Sequence, residues 1–188
     1  MCKILLFALA ATAFLPSLSA QTDTLTASNL AEFLARYEES LNPVNQAFAD
    51  LESEKLALRD ESGQPLGRHH IEDCRQVVVS LRQVIRQLTT HPEDLVSTIT
   101  LFIQTEALAD DLFDLSQISY DNDREELGKR FSDLQIAFDH KEDLIQKHAL
   151  QLATTKQDRL KQLEVENHDL QQKLKDAAQR PKRKKILR

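Results

Sequence analysis

The sequence predicts an all-α protein: an antiparallel helical bundle of about four helices, the first kinked at Pro43, with a long C-terminal helix projecting as a coiled-coil arm. Three observations carry this. Apolar residues recur at steps of three, four and seven along most of the chain. Only 3 glycines occur in 188 residues, too few for the many tight turns of a sandwich or barrel. Short polar or proline-bearing links divide the periodic stretches into four, and short links make neighbouring helices antiparallel.

The first twenty residues read as an address. Met1-Cys2-Lys3 is a short basic start, Ile4 to Leu15 is almost wholly apolar, and Pro16 breaks the run. Ser17-Leu18-Ser19-Ala20 then places small residues where a signal peptidase cuts. This is the pattern of a secretory signal peptide, residues 1–20, cleaved near Ala20, and it points to a periplasmic or secreted protein. The run is shorter than the roughly 20 apolar residues of a membrane span, so no transmembrane span is expected after cleavage. Cys2 precedes the apolar run and is therefore not a lipid-bearing cysteine. With the signal removed, Cys74 is the one remaining cysteine. No internal disulfide can form, and stability must come from packing.

Residues 21–27 are expected to be a flexible N-terminus, and residues 28–152 a helical bundle. Leu30, Phe33, Tyr37, Leu41, Val44, Phe48, Leu51 and Leu58 keep helical phase, with Ser28 a suitable cap. Pro43 lacks an N–H and interrupts this first segment, about 28 to 60, without shifting its stripe. The link 61–67 holds two of the three glycines and Pro65. Ile71, Cys74, Val78, Leu81, Ile85 and Leu88 step 3-4-3-4-3 and define the second segment. Pro92 suits the first position of the third segment, about 92 to 118, with Glu93 and Asp94 at the positive end of the helix dipole. That segment is apolar on two sides, with Leu95, Ile99 and Phe102 on one and Leu101, Leu108, Leu112 and Leu115 on the other. A helix of that kind is usually sandwiched between neighbours.

The fourth segment, from about Asp123 to Gln179, contains no proline. Its length, about 80 Å at 1.5 Å per residue, is about twice that of the third segment. Residues 153–179 are therefore expected to project beyond the bundle as a coiled-coil helix. Leu160, Leu163, Asn167, Leu170, Leu174 and Ala177 form a seam there, joined upstream to Ile145, Ala149, Leu152 and Lys156 with one 4-4 step, a stutter. The seam asks for a homo-oligomer or a partner helix, and Asn167 falls where a buried amide fixes coiled-coil register.

Asp and Glu total 30, and Lys and Arg total 24. Six basic residues, Arg180, Lys182, Arg183, Lys184, Lys185 and Arg188, crowd the last nine positions. Without the signal and those nine positions, 17 basic residues face 30 acidic ones, a net charge of −13. Residues 180–188 are expected to be a disordered basic tail contacting an anionic envelope surface, to which each Lys or Arg contributes about 1 kcal/mol. Secretion argues against nucleic acid as the partner.

Catalytic signatures are lacking. There is no GxGxxG, no GxxxxGK[ST] and no CxxCH. His69, His70, Asp73 and Cys74 are close enough in sequence to suggest a metal, but Cys74 belongs to the apolar seam and is expected to be a buried thiol. An intermolecular disulfide through Cys74 is the other alternative. His140 and His148 are expected on a solvated face. Asp121-Asn-Asp123 begins like a calcium loop, but Glu126 replaces the required glycine and Ser132 the bidentate Glu. The expectation is a non-enzymatic interaction or structural protein with no cofactor and no metal. The alternatives are a bundle that carries a small apolar ligand or metal, and an envelope chaperone.

Overall fold

The computed structural model describes residues 24–26, 28–53, 58–60 and 62–179. The expected signal peptide and the basic segment 180–188 lie outside the described residues, as do 21–23 and 27 of the expected flexible N-terminus. Four helices pack against one another: α1 (Leu30–Ser53), α2 (Arg68–Thr90), α3 (Leu95–Asp121) and α4 (Glu125–Gln179). Among the described residues the one extended pairing is an isolated bridge between Arg59 and Pro65. No described helix is long and apolar enough to cross a membrane.

The helices run up-down-up-down. Arg75 on α2 pairs with Glu52 on α1, and Arg82 reaches Asn42. Gln104 on α3 donates to Ser80 on α2. The Ser116 hydroxyl on α3 donates to the Gly128 carbonyl on α4, and Arg130 on α4 pairs with Asp50 near the end of α1. α1 and α3 sit on one diagonal, bridged through the core by Tyr37 Oη and Thr105 Oγ1 at 2.8 Å. Burial raises the Tyr37 phenol well above its ordinary pKa, so it stays protonated.

The aromatic residues fill the centre. Tyr37 makes edge contacts with Phe33 and Phe138, and Phe48 packs on Phe131. The expected α2 seam is buried throughout, from Ile71 to Leu88. α3 and α4 approach closely at Gly128, where a Cβ would lie 2.9 Å from the Tyr120 ring.

Several local expectations change. Ser28 does not cap α1; its hydroxyl pairs with Thr26, and a Thr26–Asn29 turn starts the helix instead. α1 passes through Pro43 as one helix, described as Leu30–Ser53, and does not run on to about 60 as expected, since Leu58 to Asp60 are not helical. Leu58 to Asp60 instead fold back onto Gln64 and Leu66. Asn122 holds that link in place by exchanging hydrogen bonds with the Arg59 backbone. Asp94, not Pro92, begins α3, its carboxylate accepting from Val96 N–H.

On α3 one of the two apolar sides is fully covered and the other only in part, with Leu95 and Phe102 half-buried and Phe102 packed against the core. Leu101, Leu108, Leu112 and Leu115 are buried, whereas Ile99, with Val96 and Ile103, faces outward. In a closed four-helix ring each helix touches two neighbours and the shared core, so its fourth side meets solvent.

Candidate functional site

α4 outlasts its neighbours. α3 begins at Leu95, and its antiparallel register with α4 ends near the point where His148 on α4 meets the Leu25 carbonyl. Beyond Ala153, every described residue up to Ala178 is exposed. The sequence-predicted seam lies along this rod. Leu160, Leu163, Leu170 and Leu174 are 62%, 44%, 60% and 71% exposed, and Asn167 is exposed between them.

The direction of the strip follows from helix geometry. Eighteen residues complete five turns, so Leu163 points the same way as buried Ile145, and Leu170 the same way as Leu152. The strip therefore extends the face that packs inside the bundle and looks to the side on which the other helices lie.

A cavity of about 220 Å³ sits where the rod leaves the bundle, walled by Leu25, Leu30, Pro92, Glu93, His148 and Leu152 among others. His148 is 7% exposed, which corrects its expected place on a solvated face. It falls three residues after Ile145 and four before Leu152, at seam spacing. One ring nitrogen faces the Leu25 carbonyl at 3.1 Å, and Nε2 is shielded without a partner. His140 is exposed as expected.

A second constellation lies between α2 and α3. His70 and Cys74 stand one turn apart near the start of α2, and Asp111 comes across from α3. One ligand atom from each of the three lies within 4.8 Å of the others. Cys74 is buried, as its seam position predicted, which leaves an intermolecular disulfide no access. Burial, then the charge of Asp111, push the Cys74 thiol up to about 12. Burial also raises Asp111 above the usual carboxylate range, and the hydrogen bond with Cys74 partly offsets this. His70 Nε2 is shielded and has no hydrogen-bond partner. His69 and Asp73 turn outward and take no part. A cavity of about 480 Å³ adjoins the group, with His70, Phe113, Asp114 and Ile118 in its wall.

Asp111 was hidden in the sequence inside an acidic stretch. Its signal was spacing: it lies three after Leu108 and four before Leu115, where an inward residue is expected.

A third cluster, Glu106 and Asp110 on α3 with Asp139, Glu142 and Asp143 on α4, is all acidic. Desolvation and mutual repulsion raise the Glu142 and Asp139 carboxyls. The six basic residues predicted to meet an anionic surface, Arg180 to Arg188, lie outside the described residues.

Compared with known proteins, the chain matches no protein-family model, no curated protein and no solved structure.

Proposed function

We propose that this chain is an extracytoplasmic, non-enzymatic helical interaction protein that self-associates through the projecting part of α4. The observation that carries the reading is the run of four exposed leucines along a continuous helix that no other part of the described chain covers. Burying one leucine is worth about 1.5–3 kcal/mol, and the chain supplies four at coiled-coil spacing.

The occupant best suited to the strip is a second copy running antiparallel. The strip looks toward the side of its own bundle, so a parallel partner helix would run into α1 and α3. An antiparallel partner places its bundle beyond the tip of the rod. With Leu163 facing Leu174 of the partner, positions 166 and 173 become cross-strand neighbours. Glu166 then meets the partner's Lys173, twice per dimer by symmetry.

Extracytoplasmic location rests on the signal pattern of residues 1–20. The basic residues from Arg180 onward complete the reading: they supply a contact for anionic lipid headgroups, while the acidic body is repelled by the same surface. Pelleting with anionic vesicles should weaken when residues 180–188 are removed and when salt is raised; equal pelleting at all salts would remove the lipid contact. A second reading, a carrier with a ligand inside the bundle, is disfavoured by the fully buried rings of Tyr37, Phe48, Phe131 and Phe138 at its centre.

Sedimentation equilibrium tests the main reading. The chain from Gln21 should show a monomer–dimer equilibrium, and the same chain ending at Thr155 should be monomeric. Two monomers, or two equal dimers, would overturn it.

A further inference from the structure

We propose that His70, Cys74 and Asp111 form a binding site for a divalent transition metal of the zinc class, with its fourth coordination position open to the adjoining cavity.

Geometry supports this first. Residues four apart on a helix share a face, so His70 and Cys74 present imidazole and sulfur together. The antiparallel α2–α3 pairing that joins Ser80 to Gln104 brings Asp111 opposite Cys74. Donor atoms around tetrahedral zinc lie about 3.5 Å apart, given metal–ligand bonds of roughly 2.0 to 2.3 Å. The separations here, within 4.8 Å, exceed that value by at most a little over 1 Å, a distance on the scale of side-chain rotations.

The donor chemistry selects the metal. A thiolate with an imidazole suits zinc or cobalt over magnesium and calcium, which take oxygen ligands. Three protein ligands leave one position for water or a ligand atom. The cavity beside His70 supplies the path to it.

Two features of the metal-free group fit the same conclusion. A buried thiol and a half-buried carboxyl converge on a shielded imidazole nitrogen that no donor or acceptor satisfies. A group left in that state costs free energy, and three convergent polar side chains are unusual where an apolar seam would serve. With a dication bound to one thiolate, one carboxylate and a neutral imidazole, the charges sum to zero, so burial carries little penalty. On binding, the Cys74 S–H bond breaks, the sulfur–metal bond forms, and the proton passes to solvent; the metal keeps its oxidation state.

The experiment is a cobalt(II) titration of the reduced full chain carrying Cys2→Ser, so that Cys74 is the one thiol. One Co²⁺ per chain should bind, with a thiolate-to-cobalt charge-transfer band in the near ultraviolet that excess Zn²⁺ removes. Asp111→Asn and His70→Gln should each weaken binding at least tenfold while far-ultraviolet circular dichroism stays unchanged. His70 is only half-buried, so His70→Gln keeps the test independent of any folding defect at Cys74. A folded chain that gives no charge-transfer band at excess Co²⁺, or an affinity equal in the parent, His70→Gln and Asp111→Asn chains, would overturn the site.

Discussion

Replacing Leu163 and Leu170 together by alanine should dissociate the proposed dimer and leave the bundle untouched. These side chains are 44% and 60% exposed, and that fraction is what a partner helix would newly cover. Scaling the roughly 1.5–3 kcal/mol for full burial of a leucine gives about 1 kcal/mol at Leu163 and about 1.4 at Leu170. Both copies lose both contacts, so a symmetric dimer loses about 5 kcal/mol, or between three and four decades in Kd. Alanine is the best helix former, so the rod itself should persist. Sedimentation equilibrium over a wide concentration range reads the Kd, and thermal unfolding of the dilute, monomeric chain reads the bundle. The expected result is a rise in Kd of about 10³-fold or more with the monomer midpoint moved by no more than about 2 °C. An unchanged Kd would refute the strip as the interface, and a large fall in the monomer midpoint would show that the leucines serve their own chain. Orientation has its own check. Glu166→Lys should weaken an antiparallel dimer and Glu166→Lys with Lys173→Glu should restore it, each cross-strand pair being worth about 0.2–1 kcal/mol. In a parallel pairing position 166 would meet Gln171, and the second change would restore nothing.

The remaining predictions concern the body. Gly128→Ala should destabilise the bundle by about 1–2 kcal/mol: overpacking costs about 1–3 kcal/mol, and the helix preference for alanine returns up to about 1. The new methyl would lie 2.9 Å from the Tyr120 ring root, which cannot yield as a flexible chain end would; chemical denaturation measures it, and a stabilised variant would contradict the packing. Glu142→Gln should raise the thermal midpoint at pH 7 by on the order of 2 °C. Desolvation, then the charges of Glu106 and Asp139, raise this carboxyl in the folded state. The folded protein thus binds the proton more readily than the unfolded chain, and the carboxylate's penalty appears as pH rises through the raised value. The gain should vanish below the ordinary glutamate pKa of about 4.3, where both states are protonated; a gain that persists unchanged at pH 3.5 would contradict the cause.

Much of the fold was legible because burial and periodicity are the same physical fact seen twice. The α2 seam from Ile71 to Leu88 is buried residue for residue. The length of the last helix was readable as well, since a stretch free of proline with one glycine has nothing to break it. Legibility failed where a polar residue sits at an apolar spacing. His148 and Asp111 both occupy seam positions, yet their chemistry suggests solvent when taken one residue at a time. It failed at helix starts too, because Ser28 and Asp94 both have cap-compatible side chains and Pro92 suits a first helical position, and local geometry decides which one is used.

By itself, the sequence determined the helical class, the four segments, the buried seams and the outlasting fourth helix, because each depends on local backbone preference and the spacing of apolar groups. Only the tertiary structure decided which chemistry meets across helices. Asp111 lies 37 positions from Cys74, and their approach is set by the register in which α2 and α3 pack. The direction in which the leucine strip looks was settled the same way: five-turn geometry places the strip on α4, but the burial of Ile145 beside the other helices fixes where that face points. Such relations between distant segments arise from the packing of whole elements, and no single stretch of chain carries them.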